Sequence, residues 1–473
     1  MVPAQPHAIG ECLQDKIRSR RAIVGVIGMG YVGLPLALAL VAQGFSTYGV
    51  DVDLQRIQAL RRGESYIMDI SNDELGDARQ TGLFHPTTDY HVLDLCDGVI
   101  ICVPTPLRKT YEPDMSYILA AVAGLEQHLH SGMLIILEST TYPGTTDELL
   151  AGAVKQAGYQ PGQDVFICFS PERVDPGNDR YKTANIPKVI GGVTPACTDM
   201  GVLLYSMTMK TVVPVSSARV AEMAKLLENT FRNVNIAFIN EVALMCEKMG
   251  IDVWEVIGAA RSKPFGFVPF YPGPGIGGHC IPLDPLYLSW KARMYKFNNH
   301  FIELANDINT SMPHHVVTLI ANALNLDSKN PHNAKILLLG MTYKRDVNDM
   351  RESPSVEIYE MLLALGASVD VHDPLISQFQ HETGTVTSID LTPKRTAGYD
   401  CVVLLVDHKA YDYHALATHA QLIVDTRNGF AEIKEPHIIR LGAPFPSISD
   451  WQTVRQRRPL RQADASRSMT KEG

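Results

Sequence analysis

Residues 22–53 read AIVGVIGMGYVGLPLALALVAQGFSTYGVDVD, and the fold is decided here. The β-branched run at 22–28 predicts a strand, the apolar stretch to Gly44 a helix, and 46–53 a second strand. A strand that is apolar throughout, rather than at alternate positions, is buried on both faces, as in a parallel sheet covered by helices. The segment 22–42 is uncharged and long enough to span a bilayer. Four glycines and a proline divide it into strand, turn and helix, so no membrane span is expected. The same alternation continues through GVIICVPTP (98–106), MLIILEST (133–140) and VFICFSPE (165–172). The expected first domain is 21–214, after an N-terminal extension at 1–20.

Composition sets the outer bounds. The chain has 473 residues, 45% hydrophobic and 20% charged, the range of soluble globular proteins; a disordered tail, a collagen rod and a coiled coil are excluded. A formal charge of -9 argues against a nucleic-acid partner, which needs a cationic surface. The eight cysteines are scattered without Cys-x-x-Cys pairs or Cys/His clusters, so neither a metal site nor a disulfide framework is expected. The first twenty residues are mixed and charged rather than signal-like, which points to a reduced cytoplasm.

Residues 218–250 contain no proline and no glycine before the last position, predicting one helix of about 48 Å at 1.5 Å per residue. Apolar residues lie on most of its faces, so burial between domains or subunits is expected. The Gly/Pro-rich stretch 262–285 that follows is expected to be a functional loop. The central domain is placed at 215–312 and a second doubly wound domain at 313–450, with its first strand at Lys335. From Trp451 a basic tail with Arg455, Arg457, Arg458 and Arg461 is expected to be solvated. The two α/β halves share strand–loop–helix logic without an identity that makes them a repeat.

Between the first strand and helix, Gly28-Met29-Gly30-Tyr31-Val32-Gly33 fits G-x-G-x-x-G in its required context. Gly28 allows a tight turn, Gly30 the approach of a pyrophosphate and Gly33 close helix–strand packing. Asp51, about twenty residues on, is placed for ribose hydroxyls and against a ribose phosphate, which favours NAD over NADP. Arg56 lies where it could cover the adenosine end.

Cys280, in GIGGHCIPLDP, reads either as a small buried hydrophobe or as a nucleophile. Gly277 and Gly278 remove bulk beside it and Asp284 follows four residues on. A reactive thiol beside an NAD site implies capture of an aldehyde. Lys225 and Asn229, one helical turn apart, could donate to an oxyanion, or be a solvated lysine and an ordinary asparagine. Ser139, Thr140 and Glu172 follow strands at the carboxyl edge, as ligand contacts or as helix caps. Lys344, Arg345 and Arg351 place cations after a strand of the last domain, for a nucleotide or as ordinary loop charge.

Together, GMGYVGL (28–34), SPE (170–172), K-x-x-x-N (225/229), GGHCIPLD (277–284) and YKRDVNDMR (343–351) resemble the UDP-glucose/GDP-mannose dehydrogenase family over about 21–450. Residues 263–292 and 301–313 look like its UDP-N-acetylglucosamine branch. The resemblance implies two Rossmann-like domains joined by a helical dimerisation domain, and a homodimer through 218–250. It implies a four-electron oxidation of a UDP-sugar C6 alcohol to a carboxylate with two NAD, for polysaccharide or O-antigen precursors. Cys280 would form a thiohemiacetal and then a thioester. Lys225 and Asn229 would stabilise oxyanions, Asp284 and Thr140 would hold water, and Glu172 would assist proton transfer. NAD contacts would be Gly28, Gly30, Tyr31, Val32, Gly33, Asp51, Arg56, Thr105, Thr140 and Arg351. Substrate contacts would be Glu172, Arg173, Lys225, Asn229, Phe270, Tyr271, Gly273, Gly277 and Lys344, with the strap running to Pro176. Arg261 would reach a partner's site. Pro176 and Leu283 depart from the UDP-glucose enzymes, where Glu and Lys are usual, and suit an N-acetylhexosamine. The alternatives are the same reaction on UDP-glucose, UDP-ManNAc or UDP-GalNAc, a two-electron β-hydroxyacid-type dehydrogenase, and a non-catalytic NAD sensor.

Overall fold

The computed structural model describes residues 6–67, 70–108, 112–174, 185–382 and 384–457. Residues 1–5, the strap position Pro176, and Arg458 and Arg461 of the basic run lie outside these. The chain divides into two compact units: Met1–Thr230 with Leu283–Asn299, and Phe231–Pro282 with His300–Gly473.

The first unit is built on β1 (Ile23–Ile27), β2 (Ser46–Val50), β3 (Phe84–Thr87), β4 (Gly98–Ile101), β5 (Leu134–Leu137), β6 (Phe166–Phe169), β7 (Lys188–Gly192) and β8 (Val212–Pro214). Their order is 3-2-1-4-5-6-7-8, and the first six strands pair in parallel in the doubly wound order. β7 runs antiparallel to β6, and β8 pairs with it in parallel. Successive side chains point to opposite faces, so each strand feeds two cores. Val24, Val26, Ile100, Leu134, Ile136, Phe166 and Cys168 lie in one; Ile27, Val99, Ile101, Ile135, Leu137, Ile167 and Phe169 lie in the other. Both faces being covered, the strands are apolar throughout. The extension forms the helix Pro6–Arg18, which inserts Leu13 and Ile17 into the first of these cores.

The second unit carries β9 (Lys335–Leu339), β10 (Ser368–His372), the hairpin of β11 (Gln378–His381) and β12 (Gly384–Thr387), β13 (Cys401–Leu404), β14 (Ile423–Asp425) and β15 (Ile438–Arg440). Its parallel sheet runs 10-9-13-14-15, the second common doubly wound order. Ile336 and Leu338 face one core, Leu337 and Leu339 the other. Two α/β sheets joined by a long helix, Ala218–Met249, are thus the architecture.

Two expected boundaries meet continuous structure instead. The 312/313 boundary falls inside the helix His300–Asn325. The tail expected to be solvated from Trp451 is corrected over its described part. Residues to Arg457 complete the helix Ile448–Arg457, Trp451 is buried and donates to Asp327, and Arg455 pairs with the same carboxylate. A buried indole secures that segment, so its charge run is no guide to solvation. No helix among the described residues is long and apolar enough to cross a membrane.

Candidate active site

In the first unit the glycine turn sits between β1 and β4, where the strand order reverses. Gly28 has φ +95°, and a Cβ there would lie 2.7 Å from the Cys102 carbonyl; one on Gly33 would lie 1.8 Å from the Gly28 carbonyl. A Cβ on Gly30 would meet nothing within 4 Å, so the open side of the turn is at Gly30. Tyr31 and Val32 lead into the helix Gly33–Ala42, whose first N–H groups have no side-chain cap. Asp51 is 6% exposed; its Oδ2 accepts from Met29 N–H at 2.8 Å and Oδ1 from Asp53 N–H at 2.9 Å. Arg56 approaches that carboxylate at 3.5 Å and covers the Tyr66 ring, while the Tyr66 hydroxyl donates to the Met29 carbonyl. Close packing at Gly28 and Gly33, space at Gly30 and uncapped amides ahead fit a dinucleotide pyrophosphate.

Thr105 lies in the loop after β4, its carbonyl accepting at 2.8 Å from Tyr287 of the helix Asp284–Met294. Ser139 donates to the Val103 carbonyl at 2.8 Å. Thr140 opens the turn whose far end is held by Glu222, which accepts from Gly144 N–H at 2.5 Å, Thr146 N–H at 2.9 Å and the Thr146 hydroxyl at 2.7 Å. Burial pushes the Glu222 carboxyl up to about 7, against the pull of those donors. Glu172 is buried: Val174 N–H donates to its Oε1, and Oε2 lies 3.9 Å from Lys188 Nζ. Arg173 is engaged by Glu228 at 2.8 Å and by the Pro187 carbonyl at 2.7 Å.

Lys225 and Asn229 are buried rather than solvated, and Asn229 Nδ2 donates to Asp284 Oδ2. Burial raises the Asp284 carboxyl to about 6; the charge of Lys225 and the Asn229 hydrogen bond pull the other way. Lysine, amide and carboxylate thus meet inside the first unit.

In the second unit Cys280 is neither core nor fully exposed. Its loop is pressed onto the segment after β9. A Cβ on Gly277 would stand 2.7 Å from the Glu352 carbonyl, one on Gly278 would stand 2.7 Å from the Tyr343 ring, and Gly278 N–H donates to the Arg351 carbonyl. Arg351 forks onto Asp349, whose hydrogen bonds and charge hold its guanidinium protonated against the cost of burial. The neighbouring His279 is driven down to about 4 by burial and then by Arg351.

Phe270 packs edge-on against Phe231, Tyr271 stacks on Trp254, and Arg261, expected to reach a partner, donates to the Tyr271 hydroxyl at 3.2 Å. Gly273 N–H donates to Asn240, which donates to Asn309; Asn309 donates to the Asn233 carbonyl, and Asn233 to that of Ile281. These asparagines went unread, although amides at 233 and 240 in an apolar helix are a visible signal. Lys344 sits in a loop fixed by Asp373, which accepts from Met341 and Thr342 N–H, and by buried His408, which accepts from Asp346 N–H. Arg427, also unread, is half-buried, with Nη1 2.5 Å from where a Gly273 Cβ would be. One group of three metal-ligand types, His91, Asp94 and His128, assembles among the described residues from segments too far apart for spacing to reveal. Within it, His128 and Asp94 are already paired at 2.8 Å.

A glycine turn at the switch point of a doubly wound sheet, with an acid at the next strand's end, defines a dinucleotide-binding protein that favours NAD. Comparison with known proteins narrows this. The chain belongs to the UDP-glucose/GDP-mannose dehydrogenase family, matching its NAD-binding domain over 22–209, its central domain over 219–311 and its UDP-binding domain over 337–432. It is 34% identical over 421 residues to the UDP-N-acetyl-D-mannosamine dehydrogenase of Salmonella typhi, covering 85% of this chain and 98% of the relative. It is 35% identical over 392 residues to the UDP-N-acetyl-D-glucosamine 6-dehydrogenase of Pseudomonas aeruginosa, covering 82% and 91%. The solved UDP-D-ManNAc dehydrogenase of Pyrococcus horikoshii superposes with a TM-score of 0.80 at 31% identity, covering 89% of this chain and 99% of that one. The protein is an NAD-dependent UDP-sugar dehydrogenase.

Proposed function

We propose that the enzyme oxidises the C6 hydroxyl of UDP-N-acetyl-D-glucosamine to the uronate, a four-electron reaction through a thioester on Cys280. The observation that carries it is the setting of Cys280: a partly exposed thiol on a glycine-lined loop that is tied to the Arg351 backbone through Gly278 N–H. Buried thiols such as Cys102, Cys168 and Cys401 are pushed up by desolvation and held inert.

NAD, when bound, supplies the hydride acceptor, twice per sugar. Glu172 takes the proton of the sugar hydroxyl as the aldehyde forms. Cys280 Sγ then adds to the aldehyde carbon, and Lys225 and Asn229 stabilise the oxyanion of the hemithioacetal. After the second hydride has left, the carbon is a thioester. Asp284, kept near a base's working range, and Thr140 hold the water that cleaves the C–S bond and returns the thiol. Gly28, Gly30, Tyr31, Val32, Gly33, Asp51, Arg56, Thr105 and Arg351 serve the dinucleotide; Arg173, Phe270, Tyr271, Gly273, Gly277, Lys344 and the unread Arg427 serve the UDP-sugar.

The product is a uronate precursor for polysaccharide or O-antigen assembly in the cytoplasm. A homodimer through Ala218–Met249 is supported by the apolar side chains left exposed there at helical spacing: Val220, Met223, Leu227, Phe231, Phe238, Met245 and Met249. A second sugar, UDP-N-acetyl-D-mannosamine, is favoured by the Salmonella and Pyrococcus relatives. A panel of UDP-GlcNAc, UDP-ManNAc, UDP-GalNAc and UDP-glucose with NADH counted per sugar decides. About two NADH per UDP-GlcNAc is the expected result for a four-electron oxidation; no turnover of that sugar defeats the choice, and a ratio near one defeats the thioester.

A further inference from the structure

Beneath Glu172 lies a charged cluster that the scheme above leaves unused. Glu138, the residue after β5, is fully buried, and Lys188, the first residue of β7, is 5% exposed. Lys188 Nζ is 2.7 Å from Glu138 Oε2, and the Tyr205 hydroxyl, from the helix Pro195–Ser206, donates to Glu138 Oε1. The same ammonium is 3.4 Å from the Pro171 carbonyl and 3.9 Å from Glu172 Oε2. Two carboxylates therefore face one ammonium away from water. A well-packed apolar trio would join these elements at least as firmly, so stability is no sufficient reason for the charges.

We propose that Lys188, held by Glu138 and Tyr205, is a positioning residue that keeps the Glu172 carboxylate aimed to accept the hydroxyl proton in the first oxidation. This rests on the proton-accepting reading of Glu172. In that step the C6 alcohol loses a hydride to NAD and its hydroxyl proton to Glu172, leaving the aldehyde. Val174 N–H fixes Oε1, and Lys188 faces Oε2. Burial opposes the Lys188 charge, but Glu138 and then Glu172 more than restore it. Glu138 is raised by burial, lowered by Lys188 and raised again by Glu172, so the two carboxylates compete for one cation. The other titratable groups facing the cluster among the described residues are Tyr205 and Cys102, both raised by burial and neutral at physiological pH. Arg173 is engaged elsewhere, by Glu228 and the Pro187 carbonyl.

The test is the rate of first NADH formation in single turnover of the NAD-saturated enzyme on its preferred UDP-sugar, followed against pH. Lys188→Met removes the cation, and the acid-side limb should move up by about one pH unit or more. Glu138→Gln removes the competing carboxylate, and the limb should move down, with KM for the sugar little changed. A merely structural role lowers the rate equally at all pH values, and limbs unmoved in both variants overturn the proposal. Should Lys188→Met fail to fold, Glu138→Gln decides alone. Glu172→Gln separates the failures. If it keeps the first-hydride rate, the reading of Glu172 falls and this proposal with it; if it loses that rate while the limbs stay still, only the role of Lys188 falls.

Discussion

Gly30 and Gly33 are three residues apart and meet opposite surroundings: open space at one, the Gly28 carbonyl at the other. Gly30→Ala should leave the melting temperature unchanged while weakening NAD about tenfold or more in calorimetric titration, a loss of about 1.4 kcal/mol. Gly33→Ala should also destabilise the protein, by about 1–3 kcal/mol through overpacking. Equal melting temperatures for the two variants would contradict the geometry. Asp284 makes a pH prediction. Its folded value near 6 lies above the ordinary 3.8, so folding favours the protonated acid. Its contribution to stability is complete below about pH 4 and is lost as pH rises through about 6. Urea unfolding at a series of pH values should show that slope, and Asp284→Asn should remove it. In the proposed scheme thioester release needs the carboxylate and should instead rise through the same interval. The glycines, Asp51 and Cys280 were legible because each is a local motif. The burial of Lys225 was not, since one turn of helix does not reveal what packs on it. Glu138 and Lys188 meet across 50 residues, a relation that periodicity does not record.

The long helix was readable as an element because nothing in 218–249 breaks it, yet its sequence does not say which apolar faces the chain itself covers. Ala221, Leu226, Ala237 and Ala243 are covered, whereas Leu227 and Phe238 stand 58% and 59% exposed. Leu227→Glu with Phe238→Glu should therefore convert a dimer to a monomer in light scattering, with each monomer still folded. A wild-type monomer would contradict the homodimer. Glu222 ties this helix to the turn at 144–146, and Glu222→Ala strands two buried amides. A loss of at least about 2 kcal/mol in urea unfolding is expected; an unchanged midpoint would contradict it. Short elements were harder to read. β3 contains a proline, β15 has three residues, and the hairpin β11–β12 alternates exposed with partly buried positions, so none offers a sustained apolar run. The C-terminal helix was hidden by its arginines, while Trp451 was the residue that mattered.

Over the whole molecule one device occurs twice. After β1, Gly28 turns at φ +95° and Met29 N–H binds Asp51; after β9, Gly340 turns at φ +92° and Met341 N–H binds Asp373. The sequence conceals this because only the Gly-Met pair and the acid are shared, and the intervening residues answer to different cores. Each unit thus presents an ordered carboxyl edge, the first with the glycine turn and the second with Lys344 and Arg427, the residues proposed above for the dinucleotide and for the UDP-sugar. The lysine, amide and acid of the first unit and the thiol of the second are separate parts of the proposed chemistry, and one covalent species would require both. Mass spectrometry of the enzyme, acid-quenched during turnover of NAD and UDP-GlcNAc, tests this most directly. The account predicts a UDP-sugar acyl adduct on the peptide containing Cys280, accumulating in Asp284→Asn and absent from Cys280→Ser, which forms no acid. No adduct in either active form, with acid still produced by Cys280→Ser, would contradict it.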